Sequence, residues 1–166
     1  RFAIFLYKLI ISNINCMRGL DMKEKLRVGV VGVGFAGRAH LDGYKNAEEA
    51  ELIAVCDVSK ERAQESADKY GIPLVFTDYE EMLKRPDLDA ISVCLPNTMH
   101  APVTISALEA GKHVLCEKPM AISVYDCGEM IKEAERANKR LFIVKQNRYN
   151  PPVQAIKNVL DENRLG

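Results

Sequence analysis

Strand-like and helix-like segments alternate along the chain from Leu26 onward. The strand-like segments are short apolar runs, and the segments between them repeat their apolar positions with helical spacing. Such alternation is typical of βαβ units and predicts an α/β fold, a doubly wound parallel sheet with helices on both faces. The predicted strands cover residues 26–31, 52–57, 74–76, 90–95, 113–117 and 141–145.

Local signals mark where the predicted helices begin and end. Ser59 and Ser123 are suitable N-cap residues, and Thr77 with Glu80 has the spacing of a capping box. Gly71 follows a helical pattern and precedes a strand, as a glycine that ends a helix does. These signals separate the helices from the strands on either side of them.

The helical pattern that runs from Ser123 to about Asn138 has a clear apolar face. Its apolar residues recur at intervals of three or four positions: Val124, Cys127, Ile131 and Ala134. We expect this face to pack against the sheet and to take no part in chemistry.

A glycine-rich hexapeptide follows the first predicted strand. It has G-x-G-x-x-G spacing, in which the first glycine allows a tight turn, the second lets backbone approach a pyrophosphate, and the third lets the next helix pack closely. The start of that helix offers free N–H groups and a positive dipole to phosphates. The hexapeptide predicts a dinucleotide site, and the alternative is a turn that serves packing alone. The residues predicted to hold the cofactor here are Gly32, Gly34, Phe35, Ala36 and Gly37.

An acidic residue, Asp57, ends the second apolar run, twenty positions after Gly37. A carboxylate at this place accepts hydrogen bonds from the adenosine ribose and repels the extra phosphate of NADP, so Asp57 favours NAD. A basic side chain just beyond it, such as Lys60 or Arg62, would accommodate that phosphate. NADP therefore stays open as the second choice of cofactor.

Polar clusters also follow the fourth, fifth and sixth predicted strands. Ligands of doubly wound sheets collect at the carboxyl ends of the strands, so these clusters are candidates for function. Ordinary loops are polar too, and the placement alone gives modest support. The clusters are Pro96-Asn97-Thr98-Met99-His100, Glu117-Lys118-Pro119 and Lys145-Gln146-Asn147-Arg148.

Composition narrows the classes of partner. Lysine plus arginine and aspartate plus glutamate number 23 each, so no net charge attracts nucleic acid or an anionic membrane. No segment approaches the run of about twenty apolar residues that spans a bilayer. The five cysteines form no C-x-x-C pair and no metal-ligand spacing with the histidines, which predicts reduced thiols in a cytoplasmic protein and no metal site.

Together these features resemble the amino-terminal domain of the Gfo/Idh/MocA oxidoreductase family, which has the Rossmann fold. The resemblance runs from about Leu26 to Arg148, and its most specific mark is the tripeptide Glu117-Lys118-Pro119 within AGKHVLCEKPMA. It implies an NAD(P)-dependent dehydrogenase that moves a hydride between nicotinamide and a hydroxyl carbon of a sugar, sugar nucleotide or polyol. It implies that Lys118 is catalytic and lies beside the nicotinamide. The other cofactor-binding residues that it implies are Pro96, Asn97, His100, Glu117 and Lys118 itself.

The residues themselves leave other interpretations open. Lys118 either hydrogen-bonds the reacting oxygen and shares in proton transfer, or is a strand-end residue paired with Glu117. His100 lies near a predicted helix start, where a histidine also caps or packs. His40 and His113 are expected to be structural.

The basic run after the sixth strand is a candidate substrate site, formed by Lys145, Asn147 and Arg148. It is similar to family members that act on nucleotide-activated sugars, such as UDP-N-acetylglucosaminuronate 3-dehydrogenases. Lys145 and Arg148 would engage a carboxylate or a diphosphate. The alternative is a solvated basic turn at the edge of the domain.

Three segments are expected along the chain. Residues 1–21 are expected to be a disordered or artefactual extension before Met22, residues 22–148 form the dinucleotide-binding domain, and residues 149–166 begin a bridge. The bridge would lead to the family's second α/β domain, which we expect to be absent here and which commonly holds substrate and mediates oligomerisation. The complete protein is therefore expected to be a homo-oligomer, and this chain alone to be inactive.

Two other functions remain possible. One is a catalytically silent NAD(P)-binding regulatory module built on the same fold. The other is an unrelated Rossmann protein such as a methyltransferase. The lysine of the Glu117-Lys118-Pro119 tripeptide favours the enzyme, because a binding module has no chemical need for it.

Overall fold

The computed structural model describes residues 25–164, and their centre is a sheet of six parallel strands. The strand order is β3-β2-β1-β4-β5-β6, which is the doubly wound arrangement predicted above. The strands are β1 (Leu26–Val31), β2 (Ala50–Cys56), β3 (Leu74–Phe76), β4 (Ala90–Val93), β5 (His113–Cys116) and β6 (Leu141–Ile143). The expected extension at residues 1–21 lies outside the described residues.

Helices connect the strands and cover both faces of the sheet. They are α1 (Phe35–Lys45), α2 (Lys60–Tyr70), α3 (Tyr79–Leu83), α4 (Asn97–Glu109), α5 (Val124–Arg136) and α6 (Pro151–Asp161), with a short 3₁₀ helix at Gln146–Tyr149. No helix within residues 25–164 is long and apolar enough to cross a membrane.

The predicted strands are all present, but several of their ends differ. β2 begins at Ala50, two residues early, and β4, β5 and β6 end one or two residues early, at Val93, Cys116 and Ile143. The pairing fades gradually at these ends, because the next amide still bonds a neighbouring strand, as Glu117 N–H does to Val93 O. The chain then turns away, which leaves the polar clusters in loops.

The core has two layers, one on each side of the sheet. Strand residues are apolar toward both faces, as is usual for buried parallel sheets. One layer packs α1 and α2 against the sheet and includes Val28, Val30, Leu41, Tyr44, Val55 and Ala67. The other packs α3, α4 and α5 and includes Val31, Met82, Ile91, Val93, Leu108 and Met130.

Two of the predicted N-caps are confirmed and one is wrong. The hydroxyls of Ser59 and Ser123 accept hydrogen bonds from amides in the first turns of α2 and α5. In α3, Asp78 rather than Thr77 is the N-cap, and its carboxylate accepts the amide N–H of Glu80 at 2.8 Å. Aspartate competes well for this role, because its charge also suits the positive end of the helix.

The predicted buried face of α5 is partly wrong. Met130 and Ala134 are buried, whereas Val124 is 91% exposed and Ile131 is 49% exposed. Val124 is the first residue of the helix and lies outside the packed layer. Ile131 follows the buried Met130, so its side chain points about 100° away from the stripe that Met130 and Ala134 form. The spacing of apolar residues therefore predicted the helix correctly, but only part of the face that it predicted to be buried is buried.

Two glycines offer a matched test of backbone conformation. Gly71 caps α2 with φ of +71°, while Gly128 lies inside α5, and a Cβ at either position meets no described atom within 4 Å. Both positions therefore have room for a methyl group, and they differ in their backbone conformation. We expect Gly71→Ala to destabilise the fold by about 1 kcal/mol and Gly128→Ala to stabilise it by about 0.5–1 kcal/mol. Urea unfolding measures both, and equal effects of one sign would contradict the assignment of these conformations.

Candidate cofactor and active site

The turn between β1 and α1 depends on two of its three glycines for shape. Gly32 has φ of +87°, and a Cβ there would overlap the carbonyl oxygen of Cys94. A Cβ on Gly37 would overlap the carbonyl oxygen of Gly32. Gly34 is different, since no described atom lies within 4 Å of its Cβ direction. The loop is therefore tight where it meets the protein and open where a ligand would approach.

Helix α1 begins at this loop with no side chain capping its first turn. Its N-cap is Gly34, and the first turn contains no acidic residue. Phe35 points to solvent and Ala36 is half-buried. The first N–H groups of a helix have no partner within it, so this end suits an anion.

Asp57 joins the glycine loop to the end of β2. Its Oδ2 accepts the backbone N–H of Val33 at 3.0 Å, and its Oδ1 accepts the backbone N–H of Ser59 at 3.0 Å. The Arg62 guanidinium donates to Oδ1 at 2.6 Å. Burial raises the pKa of Asp57, but the bonds from Arg62, Ser59 and Val33 outweigh it and the pKa lies below its usual value. The carboxylate is therefore ionised at neutral pH and already holds Arg62.

A cavity of about 560 Å³ lies beside the glycine loop and Asp57. Its walls are mostly apolar and come from the carboxyl ends of β1, β2 and β4, which is where a doubly wound sheet binds a nucleotide. The polar side chains that line it include Asp57 and Arg62. The residues present therefore fit an adenine nucleotide. Among the predicted site residues, those that line it are Gly32, Gly34, Asp57 and Pro96.

The tripeptide after β5 is held by a residue of α1. His40 Nε2 lies 3.2 Å from Glu117 Oε1, and Glu117 Oε2 accepts the backbone N–H of Lys118 at 3.0 Å. The hydrogen bond from His40 is the main cause that lowers the pKa of Glu117 below its usual value. The side chain of Lys118 is exposed. Glu117 thus bonds other groups of the protein, while the side chain of Lys118 is open to solvent.

His100 lies beneath the loops that follow β4 and β5. The ring is buried, with Nδ1 2.6 Å from Pro119 O and Nε2 2.9 Å from Leu95 O. It therefore bridges the two loops, and its direct contact with a cofactor stays a prediction. Asn97 is the exposed first residue of α4.

A second cavity, of about 230 Å³, unites the predicted catalytic and substrate residues. Lys118 lines it from the loop after β5, and Lys145, Asn147 and Arg148 line it from the loop after β6. β5 and β6 are neighbours in the sheet, which explains why these two loops meet. Three cationic side chains at one small cavity favour a carboxylate or phosphate group.

Two larger cavities lie away from this edge and contain none of the predicted site residues. One, of about 690 Å³, lies at the amino ends of β1 and β2, and the other, of about 600 Å³, lies between α5 and β6. Size alone is therefore a poor guide to the site in this fold. Within residues 25–164 no group of three or more histidine, cysteine or acidic side chains is arranged to hold a metal ion.

Comparison with known proteins decides the family. The model of the Gfo/Idh/MocA group, described as an oxidoreductase family with an NAD-binding Rossmann fold, matches residues 26–145. The chain belongs to this family. The predicted family, fold and NAD-binding character are thereby confirmed, while the limits of the domain at residues 22–148 stay a prediction.

Several similar proteins are dehydrogenases. Inositol 2-dehydrogenase of Salmonella typhimurium is 34% identical over 85% of this chain and 43% of its own length. D-glucoside 3-dehydrogenase of Escherichia coli is 36% identical over 90% and 43%. The WlbA dehydrogenase of Bordetella pertussis, solved with NADH and UDP-GlcNAcA, is 34% identical over 86% and 44%, with a TM-score of 0.81. The chain spans less than half the length of these relatives.

One further residue, His40, contacts the candidate site. His40, which we expect to be structural, contacts the Glu117 carboxylate across 77 positions of sequence. The spacing of the sequence contained a signal for this, because His40 lies at helical spacing from Gly37, Leu41 and Tyr44, which are all buried on one face of α1. A histidine on such a face needs polar partners, and its partner here belongs to the candidate site.

Replacing Asp57 tests how the site chooses its cofactor. Asp57→Ser removes the carboxylate and frees the Arg62 guanidinium, which would then favour a 2′-phosphate. Loss of a hydrogen bond to a charged group costs about 1.5–3 kcal/mol, so we expect NADH to bind about tenfold or more weakly and NADPH to bind more tightly. Fluorescence titration with both nucleotides measures this.

The control for this substitution is Asp89→Ser, which also breaks an aspartate–arginine pair. Asp89 bonds the Arg27 guanidinium at the amino end of β4, away from the glycine loop. We expect it to lower stability and leave the NADH to NADPH preference unchanged. An unchanged preference in Asp57→Ser would show that Asp57 does not select the cofactor.

Proposed function

We propose that the complete protein is an NAD-dependent dehydrogenase acting on a hydroxyl carbon of a sugar, sugar nucleotide or polyol. This chain provides its cofactor domain and the lysine at the reacting centre. The observation that carries the proposal is the cavity that Lys118 shares with Lys145, Asn147 and Arg148, at the same sheet edge as the glycine loop.

The cofactor site is formed by the loop and the first turn of α1. Gly34 leaves room for the diphosphate, and the free N–H groups of Phe35, Ala36 and Gly37 suit its charge. In this proposal Asp57 bonds the adenosine ribose, Pro96 lines the same cavity, and Asn97 follows it as the first residue of α4. When bound, NAD supplies the hydride acceptor.

Lys118 acts on the oxygen of the substrate. Oxidation of a secondary alcohol would pass a hydride from carbon to bound NAD and release the hydroxyl proton to water by way of Lys118, and negative charge develops on the oxygen during the step. The ammonium of Lys118 donates a hydrogen bond to that oxygen and stabilises this charge. Glu117 and His100 hold the backbone on either side of the lysine, so its direction of approach is set before substrate binds.

The charges around the second cavity support an anionic substrate. Lys145 and Arg148 lie beside Lys118, and the amide of Asn147 adds a neutral donor and acceptor. An anionic sugar, either a uronate or a sugar nucleotide, pairs with these cations. The complex of the Bordetella pertussis relative with NADH and UDP-GlcNAcA supports this class.

The complete protein is further proposed to be a cytoplasmic homo-oligomer. The cysteines at positions 56, 94, 116 and 127 are free thiols, which suits a reducing compartment. Helix α6 exposes Val153, Ile156 and Leu160 along one face. Such a face suits a protein contact, provided by the substrate domain or a second copy.

Replacing Lys118 tests the proposed chemistry. In the complete protein we expect Lys118→Ala to lower the turnover number for NAD reduction about 10²- to 10⁴-fold and to leave NADH affinity unchanged. Turnover is followed at the nicotinamide absorbance with UDP-GlcNAcA, myo-inositol and a D-glucoside as substrates. Lys132→Ala, on the exposed face of α5, is the control and should be neutral. Full turnover in Lys118→Ala would contradict the role proposed for this lysine. NADH binding by the unmodified protein without reduction of NAD by any of these substrates would favour a silent binding module.

Replacing Arg148 tests the substrate class. Arg148→Gln removes one positive charge from the second cavity and keeps a polar side chain. We expect the KM for UDP-GlcNAcA to rise about tenfold or more, and the KM for neutral myo-inositol to change little. Equal effects on both substrates would mean that Arg148 does not recognise an anionic group.

A further inference from the structure

Helix α1 contacts the lysine turn through a buried histidine. His40 is 2% exposed and lies one turn after Gly37, on the helix that begins at the glycine loop. Its Nε2 is 3.2 Å from Glu117 Oε1. A carboxylate only accepts hydrogen bonds, so Nε2 carries the proton and donates. The contact therefore has a defined direction, from the helix to the turn.

The same carboxylate also holds the backbone of the lysine. Glu117 Oε2 accepts the N–H of Lys118 at 3.0 Å, so its two oxygens serve two different partners. The bond from His40 lowers the pKa of Glu117, and the carboxylate is ionised at neutral pH. A charged acceptor strengthens the hydrogen bonds that it receives, and both bonds depend on the orientation of this carboxylate.

We propose that His40 is a positioning residue, which orients Glu117 and thereby fixes the backbone at Lys118. It connects the helix at the diphosphate site to the residue at the reacting centre. The catalytic meaning of this connection rests on the proposed function. The connection itself does not, because it is a property of the backbone at Lys118.

The residues on either side of Lys118 are held by other hydrogen bonds. The amide of Glu117 bonds Val93 O in the neighbouring strand, and the carbonyl of Pro119 lies 2.6 Å from His100 Nδ1. Loss of the His40 contact therefore releases Lys118 without freeing the residues on either side. We expect a local change at one amide and no general unfolding of the turn.

Substitutions of His40 distinguish its hydrogen bond to Glu117 from its packing. His40→Leu keeps the bulk and removes the donor, whereas His40→Gln keeps an amide donor near the position of Nε2. His113→Leu is the matched control, because His113 is also buried and also takes part in a hydrogen bond, at the opposite end of β5. His40→Phe gives the same test if His40→Leu does not fold, because it also fills the space of the ring and removes the donor.

The primary measurement is hydrogen exchange at the Lys118 amide in the full-length protein. We expect exchange about tenfold or more faster in His40→Leu, close to wild type in His40→Gln, and unchanged relative to neighbouring amides in His113→Leu. Unchanged exchange at Lys118 in His40→Leu, or equal acceleration in His113→Leu, would overturn the proposal.

Turnover then shows whether the position of Lys118 matters for catalysis. We expect His40→Leu to lower kcat about tenfold while NADH affinity is unchanged, and His40→Gln to restore most of kcat. A loss of NADH affinity with unchanged kcat would overturn the positioning role. If the Lys118 amide responds as expected but Lys118→Ala retains full turnover, the contact stands and the proposed function fails.

Discussion

The close packing of Gly37 against the carbonyl of Gly32 determines where helix α1 lies, and the site depends on that helix. Only a residue without a Cβ lets the helix begin so near the strand. Once α1 lies against the sheet, its buried face reaches strands far away in sequence. Tyr44 then bonds the Ser92 hydroxyl in β4 at 2.9 Å, and His40 bonds Glu117 after β5. A single steric requirement is thereby connected to the position of Lys118.

Asp57 adds an electrostatic counterpart to this packing. It joins the first two strands by bonding Val33, and it binds the guanidinium of Arg62. The residue that we predict to bind the adenosine ribose therefore also stabilises the glycine loop. Its burial raises the energetic cost of the charge, and three hydrogen-bond donors offset that cost. The site is prepared for a nucleotide before one binds.

Local patterns predicted the fold well, because glycine spacing and short apolar runs act over a few residues. The errors also have local causes: Asp78 is a stronger cap than Thr77, and Val124 lies beyond the layer that its spacing assigned it to. The meeting of Lys118 with residues 145–148 was predictable from adjacent strand ends. The contact of His40 with Glu117 was not, since it joins residues 77 positions apart and depends on how α1 packs.

We propose that the carboxyl edge of the sheet forms one site, with the diphosphate at α1 and the reacting centre at Lys118. A crystal structure of the complete protein with NADH tests it most directly. We predict that the diphosphate lies against Gly34 and the first N–H groups of α1, the adenosine ribose at Asp57, and the nicotinamide beside the Lys118 ammonium. NADH in the cavity between α5 and β6, or a nicotinamide far from Lys118, would contradict it.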